Sequence, residues 1–580
     1  MFTKFARRSV AAVTLCLLPA VAVLAAPAVP TVEPRVSSAA GAPCVVNLFT
    51  HQLFDEFTSY SYAPPPGCPG PWSKVVLKLN LGGSRAANTA QVNLSLGGVS
   101  LFNGSLSQTD EVDNWHVERD LTDYAALLHA PRVGTLNYLD LGTPYGDGSR
   151  VTGSAKLVFY RSTASTPAHR VPDRVVQTSG GPQDLPHNIV RAYLDVTARA
   201  EPLWYTCVPD ASAVSYPALL SVLAPGINQP GIFPQPQGCT GGSFREVEVS
   251  VDGSPAGVVP VFPWLPSDLN GVFHNALDTP MPGVQVLNLV PYRVDLTPFA
   301  AILSDAGPHT VALSGGAWTD AQLLLYLDHG STHVTGAVTL NTLTGGVPTP
   351  VVTNSLSASG AVLEGNVGTE VKRQFEIRGF VNTSGGRIDS AVKEKLGFRN
   401  LQGFRLEGLV YEELQSYRQT VWLQSTVDRR SRRTRGSKVL SRDHEIVAYP
   451  LTLHYATFGE YDPDGGDGPI VNLTGYKFAV DQKRHVEGWH RRPGMPWYAT
   501  VLNDRFVASH AMDESTHSHW NSLRRYGFKD SFGSCYKAVR TSDSGVLTGS
   551  TFGSGCPGGS NHVRWYAHAD GSPDAITWRP

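Results

Sequence analysis

Apolar residues along this 580-residue chain fall into short runs rather than helical stripes. Over the first 160 positions the runs at 75–81, 92–96, 115–121, 135–141 and 155–160 are separated by Gly, Asn, Asp and Pro. Short strands punctuated by turn residues predict a β-sandwich or jelly roll. Residues 161–187 are rich in Ser, Thr, Pro and Gly without periodicity, which places a domain boundary there. A second series follows at 192–198, 244–251, 284–290, 310–314 and 322–328. Within it, Phe244-Arg245-Glu246-Val247-Glu248-Val249-Ser250-Val251 alternates cleanly. Strand side chains point to opposite faces in turn, so Val247, Val249 and Val251 form a core face with Arg245 at the strand end. Glu246 and Glu248 share the other face, where Glu246 is expected to meet solvent or a cleft. From about residue 345 the alternation lengthens, as at 374–382, 419–425 and 444–456, and charge becomes richer. This predicts a third β region, ending in a lobe that holds the last cysteines and several aromatics.

The N-terminus adds a location. Lys4, Arg7 and Arg8 precede an apolar run over 10–23, and small residues follow it. This is the layout of a signal peptide, with cleavage expected after Ala25. No later segment reaches the roughly 18 unbroken apolar residues of a membrane helix. The mature chain is therefore expected to be secreted or periplasmic, with no membrane partner.

Cysteine usage agrees with export. Seven cysteines less Cys16 leave six, in three close pairs: Cys44/Cys68, Cys207/Cys239 and Cys535/Cys556. An even count in an exported chain reads as disulfides, with nearest-neighbour pairing one choice among about 15 connectivities. Each bridge would stabilise by about 3 kcal/mol on the loop-entropy account. The net charge of −2 gives no field for nucleic acid or an anionic membrane.

Common catalytic patterns are absent: HExxH, GxSxG, a P-loop, GxGxxG and CxxC do not occur in usable contexts. That leaves chemistry done by carboxylates, His or Arg. His510, His517 and His519 near Asp513 and Glu514, and His485, Glu487 and His490, are loose clusters without zinc spacing, so no metal is expected. The basic run 428–438 lacks interleaved aromatics and reads as a solvated hairpin tip. Trp204 and Tyr205 follow Glu201 and precede a long Pro/Gly-rich loop. They either stack on sugar rings or plug the end of a sandwich core.

Several segments together resemble the PNGase A-like peptide N-glycosidases. They are the 244–253 strand ending in Asp252-Gly253, Pro291-Tyr292-Arg293-Val294-Asp295-Leu296-Thr297-Pro298-Phe299, and Trp318-Thr319-Asp320-Ala321 leading to Leu327-Asp328-His329-Gly330. Trp115-His116-Val117-Glu118-Arg119-Asp120-Leu121-Thr122-Asp123-Tyr124 fits in the first domain, and Leu96-Gly97-Gly98-Val99 adds weaker support. The likeness covers roughly residues 44–335. It implies an all-β fold: two jelly-roll β-sandwich domains over 42–162 and 186–345, plus a β-rich C-terminal region over 346–580. As in the related PNGase F, a glycan cleft would lie where the jelly rolls meet.

The activity implied is hydrolysis of the glycan–asparagine amide, leaving aspartate, without metal or cofactor. Substrates would be N-glycopeptides and N-glycoproteins, and the chain is expected to act as a monomer. Glu246, Asp140 and Glu201 are the expected catalytic acids. Arg245, Trp204, Tyr205, His116 and Asn275 are the expected substrate contacts. Two departures stand out. The family's aromatic-Asp-Arg segment reads Asn88-Thr89-Ala90 here, so either Asp55, Glu56 or Asp140 serves instead, or this branch divides the work differently. Its Asn-x-x-Phe-Trp-Arg segment reads Asn270-Gly271-Val272-Phe273-His274-Asn275, losing the Arg. The rival readings are a lectin-like glycan binder and another carbohydrate hydrolase, which would leave asparagine intact.

Overall fold

The computed structural model describes residues 42–54, 57–83, 91–105, 114–139, 151–164, 168–178, 180–200, 204–209, 212, 238–239, 242–263, 283–284, 288–315, 318–359, 362–407, 414–462, 470–512, 518–544 and 546–562. The expected signal peptide, Asp55, Glu56, Asp140, Glu201 and Asn275 lie outside them. The protein is all-β, as the run lengths predict.

Strands β1 (Cys44–Phe54), β2 (Phe57–Tyr62), β3 (Trp72–Gly83), β4 (Gln91–Leu96), β5 (Val99–Ser105), β6 (Asn114–Asp120), β7 (Arg132–Leu139) and β8 (Val151–Arg161) make two four-stranded antiparallel sheets. Their orders are β1-β8-β3-β6 and β2-β7-β4-β5. Alternation sends Leu77, Leu79, Leu94 and Phe102 inward, and Phe102 meets Trp115 across the sheets at 6.4 Å. The Cys44–Cys68 disulfide closes the edge of this first sandwich.

The next strands are β9 (Arg174–Gln177), β10 (Ile189–Arg199), β11 (Val208–Pro209), β12 (Gly238–Cys239), β13 (Glu246–Val251), β14 (Ser254–Pro260), β15 (Tyr292–Asp295), β16 (Val311–Gly315) and β17 (Trp318–Leu327). They form sheets ordered β15-β10-β17-β9 and β14-β13-β16, with β11 and β12 a short parallel pair. β9 falls inside the Ser/Pro-rich stretch and pairs with β17, because Val175 and Val176 supply an apolar pair there. The expected strand over 284–290 shows only an isolated bridge, Asn288 to Gly104, among its described residues. Cys207 is disulfide-bonded.

The remainder is a meander of unusual length. β18 (Thr335–Asn341), β19 (Val351–Asn354), β20 (Ser357–Ser359), β21 (Val362–Thr383), β22 (Gly386–Glu407), β23 (Leu414–Arg435), β24 (Lys438–Asp462), β25 (Ile470–Arg491), β26 (Tyr498–Met512), β27 (Ser518–Asp530), β28 (Cys535–Asp543) and β29 (Val546–Phe552) join one 12-stranded sheet. β21 has 22 residues, so it spans about 70 Å at about 3.3 Å per residue. Its buried apolar side chains, Leu363, Val367, Val371, Phe375, Ile377 and Val381, all fall on odd positions. A slip of one residue would expose that whole set, which pins the register. The Cys535–Cys556 bridge closes the far end.

The apolar face of this long sheet packs on the second sandwich. Phe398 meets Trp204 at 6.1 Å and Phe244 at 5.4 Å, while Tyr449 meets Phe262 at 5.7 Å and Tyr292 at 5.8 Å. Buried amides complete the contact: Asn400 donates to the Tyr205 carbonyl at 2.7 Å, Gln419 to the same oxygen at 2.6 Å, and Gln402 to Thr206 O at 2.7 Å. Burying an amide without a partner costs roughly 1–3 kcal/mol, so these carbonyls fix where the sheet sits.

Candidate active site

The two sandwiches are joined by a buried ion network. Arg293 on β15 donates to Asp195 Oδ1 at 2.6 Å and Oδ2 at 2.8 Å, and its Nη1 reaches Asp123 of the first sandwich at 2.9 Å. Tyr124 donates to Asp195 at 2.9 Å, and His169 lies 3.6 Å from Asp123. Every member is buried, so bidentate geometry and full pairing are what make these charges tolerable.

At the rim of the same seam sits Asp320, half-buried near the start of β17. Its Oδ2 accepts from Asn103 at 3.0 Å and Asn93 at 3.3 Å, and its Oδ1 from Gln322 at 2.9 Å. The carboxylate therefore belongs to one sandwich, and its Oδ2 is held by amides of the other. Two guanidinium groups feel its charge. Burial pulls Arg199 and Arg119 below the usual arginine range, and Asp320 opposes that pull in both cases. Arg199 also borders an apolar cleft of about 60 Å³ lined by Val259, Phe262, Leu289, Tyr292 and Tyr449.

Strand register explains why these groups converge. Thr197 of β10 pairs with Asp320, Arg199 with Trp318, and Asn137 of β7 with Asn93. β7 ends at Leu139 and β10 at Arg199.

A family model described as peptide N-acetyl-beta-D-glucosaminyl asparaginase amidase A matches residues 160–324. No curated protein matches the chain. The amidase A match supports a PNGase A-like, glycoamidase-type hydrolase at the level of the family. It covers Asp195, Arg199, Glu246, Arg293 and Asp320, and it stops before the long sheet begins.

Within the amidase A segment, the residues expected from the sequence separate. Glu246 does not face solvent or a cleft: its side chain is fully buried beneath β21, paired with Arg373 Nη1. The strand alternates as its sequence predicts, but a second sheet covers the face expected to be open. Burial pushes the Glu246 carboxyl up to about 7 although Arg373 opposes it, and Glu248 adds to the rise. Arg245 is half-buried and donates to the carbonyls of Gly242 and Phe244. Trp204 and Tyr205, each 3% exposed, plug the junction with the long sheet rather than line a surface.

His116 lies in the first sandwich, on the face of β6 opposite Trp115 and Val117, within 2.6 Å of Asn80 and 3.0 Å of Glu118. Burial alone would raise Glu118, but His116 and Lys78 outweigh it and hold the carboxyl low. Arg119, three residues after His116, feels the charges of Tyr124, Asp195 and Asp320.

Of the expected histidine clusters, His510 bonds Tyr476 at 2.8 Å, His490 pairs with Asp443, and His485 bonds Asn503 at 2.8 Å with Glu487 3.7 Å away, while Asp513, Glu514 and His517 lie outside the described residues. No group of three potential metal ligands occurs among the described residues. Asp320 was visible in the Trp-Thr-Asp-Ala segment, yet only the cross-sandwich amides distinguish it from any strand-end aspartate.

Proposed function

We propose that the chain is an exported amidase that hydrolyses the glycan–asparagine amide of N-glycoproteins and leaves aspartate in the peptide. The observation that carries this reading is Asp320, a half-buried carboxylate of the amidase A segment, held by amides at the sandwich seam beside Arg199. In this reading Asp320 orients a water molecule and takes its proton. Arg199 steadies the amide oxygen as negative charge develops. The water oxygen joins the carbonyl carbon, the C–N bond breaks, and Asp140 or Glu201 gives a proton to the leaving nitrogen. The released glycosylamine then loses ammonia. Glu246 serves instead as the counter-ion that seats the long sheet. Two complete disulfides and the lack of a membrane-length helix among the described residues are compatible with secretion.

The sealing of Glu246 favours one second reading, a glycan-binding protein without catalysis. Mass spectrometry of a denatured N-glycopeptide in heavy-oxygen water separates the two. Whole-glycan loss with one heavy oxygen in a new aspartate supports the amidase. An intact glycopeptide that still binds the chain removes it.

A further inference from the structure

The outer face of the β2-β7-β4-β5 sheet carries a row of four side chains that leads away from Asp320. Strand pairing sets Asn103 of β5 beside Asn93 of β4, Asn93 beside Asn137 of β7, and Asn137 beside Phe57 of β2. Alternate positions on these strands, Phe102, Leu94 and Leu136, point into the core, so the four share the opposite face. Cover thins along the row: Asn103 is buried, Asn93 and Asn137 are half-buried, and Phe57 is 65% exposed. The second sandwich supplies the cover at the first end. Asp320 accepts from Asn103 and Asn93, Leu289 N donates to Asn103 O at 2.9 Å, and Gln177 crowds Gly98 at the β4–β5 turn. β7 and β2 continue past these contacts as a shelf beside the Asp320 rim. Three interstrand spacings of about 4.8 Å put Phe57 about 14 Å from Asn103.

The chemistry of this shelf is unusual for a sheet edge. An exposed edge strand commonly carries charge, Lys above all, which discourages pairing with another chain. β2 has none, and among all four strands only Arg132 is charged; it lies in phase with the core positions and donates to Leu127 O at 2.9 Å. The face offers amides and hydroxyls instead. Next to the Asn row, Ser59, Thr135 and Ser95 are in register, with the Thr135 and Ser95 hydroxyls 2.6 Å apart. Asn137 Oδ1 is shielded and takes no donor among the described residues. Such an unmet bond costs about 1–3 kcal/mol, which turning the amide toward an incoming hydroxyl would recover. Neutral donors and acceptors that end on an exposed phenyl ring suit an uncharged sugar chain, whose rings carry hydroxyls at their edges and C–H groups on their faces. These strands offer an anion no cation.

We propose that the shelf carries the neutral glycan of the substrate away from Asp320, with Asn137 and Thr135 bonding sugar hydroxyls and Phe57 packing on an outlying ring. The direction, with the scissile amide at the Asp320 end, rests on the amidase reading; the binding itself does not.

The test is calorimetric titration of the full mature chain carrying Asp320→Asn, which keeps the probes whole. Two probes share one peptide: one bears a neutral high-mannose glycan, the other a single N-acetylglucosamine. The long probe should bind about tenfold more tightly, and Phe57→Ala should erase the difference by weakening the long probe alone. Thr135→Val, which keeps the side chain's shape and removes its hydroxyl, should narrow it. Trp497→Ala, at an indole of the long sheet that is 60% exposed, should leave it intact. Equal affinity for the two probes overturns the proposal, as does a preference lost with Trp497→Ala and kept with Phe57→Ala. So does a wild-type dimer in sedimentation that Phe57→Ala dissolves, because β2 would then be a pairing edge between copies. Mass spectrometry of the probes after incubation with the wild-type chain separates the two readings. Glycan release without a length preference removes the shelf and keeps the amidase, whereas a preference without release does the reverse.

Discussion

Glu246 and Asp320 both belong to the amidase A segment and both sit at strand starts, yet their surroundings are opposite. Glu246 is covered by β21 and matched by a guanidinium, with its charge pushed toward neutrality by burial. Asp320 is half-buried, held by neutral amides, and its charge is felt by Arg199 and Arg119. A carboxylate locked to Arg beneath a sheet is built for anchoring. One held by amides and only half-buried can exchange a partner for water. The difference teaches that strand position within the matched segment does not assign a role; what covers the strand does.

The largest effect that could break this comparison is on turnover. Asp320→Asn should lower kcat/KM by about 10³-fold, the usual range for losing a positioned acid–base group. Glu246→Gln should stay within about tenfold of wild type. Rates measured on a fluorescent N-glycopeptide decide it: the reverse order would return catalysis to Glu246.

Next comes stability. Arg373→Ala leaves Glu246 and Glu248 buried without their cation, and breaking such a pair costs about 3–5 kcal/mol. Adding Glu246→Gln should recover much of that loss, because the stranded charge goes with it. Urea denaturation of the single and double variants reads the recovery; simple additivity would mean that the two side chains are uncoupled.

How much of this could be read from the chain alone differs between the regions. In the first sandwich β3, β4, β6, β7 and β8 were legible as short apolar runs between turn residues, whereas β1, β2 and β5, which mix polar residues into the run, were not. The length of β21 to β25 was not, since Arg373, Glu394, Asn400, Gln402 and Gln419 interrupt the apolar phase. All five occupy inward positions of their strands and meet partners on other elements. A polar residue in phase with a buried face was the available signal, and its partner could come only from the fold. The basic run was half-legible: the hairpin turns at Gly436, but Arg429 and Arg433 line a cavity of about 910 Å³ between the long sheet and the second sandwich. Asp320 needed amides from more than 200 positions away in sequence, which no local pattern announces.

Reduction sharpens the contrast between the two ends of the molecule. The Cys44–Cys68 and Cys535–Cys556 bridges close loops of 24 and 21 residues, each contributing about 3 kcal/mol on the loop-entropy account. A reducing agent should therefore lower the melting temperature while leaving turnover at the Asp320 rim intact below the transition. An unchanged melting temperature would remove the bridges from the list of stabilising features.

The smallest effect concerns pH. In the unfolded chain Glu246 loses its proton near 4.5, whereas the folded chain keeps it until about 7. Glu394 is likewise held up, to about 8, by burial that outweighs its hydrogen bonds from Tyr292 and Ser425. Between those limits the folded state binds more protons, so stability falls as pH rises, by at most about 1.4 kcal/mol per pH unit for each group. Asp443 acts in the opposite sense. Burial would raise it, but His490 and Arg191 hold it at about 2, so stability falls as pH drops from about 4 toward 2. Urea midpoints taken from pH 2 to 8 should therefore peak near pH 4 to 5. Glu246→Gln should flatten the descent up to pH 7, and Glu394→Gln should flatten it up to pH 8. A descent untouched by Glu246→Gln would mean that Arg373 keeps Glu246 ionised in the fold, and the anchor would then be an ordinary ion pair rather than a carboxyl strained by burial.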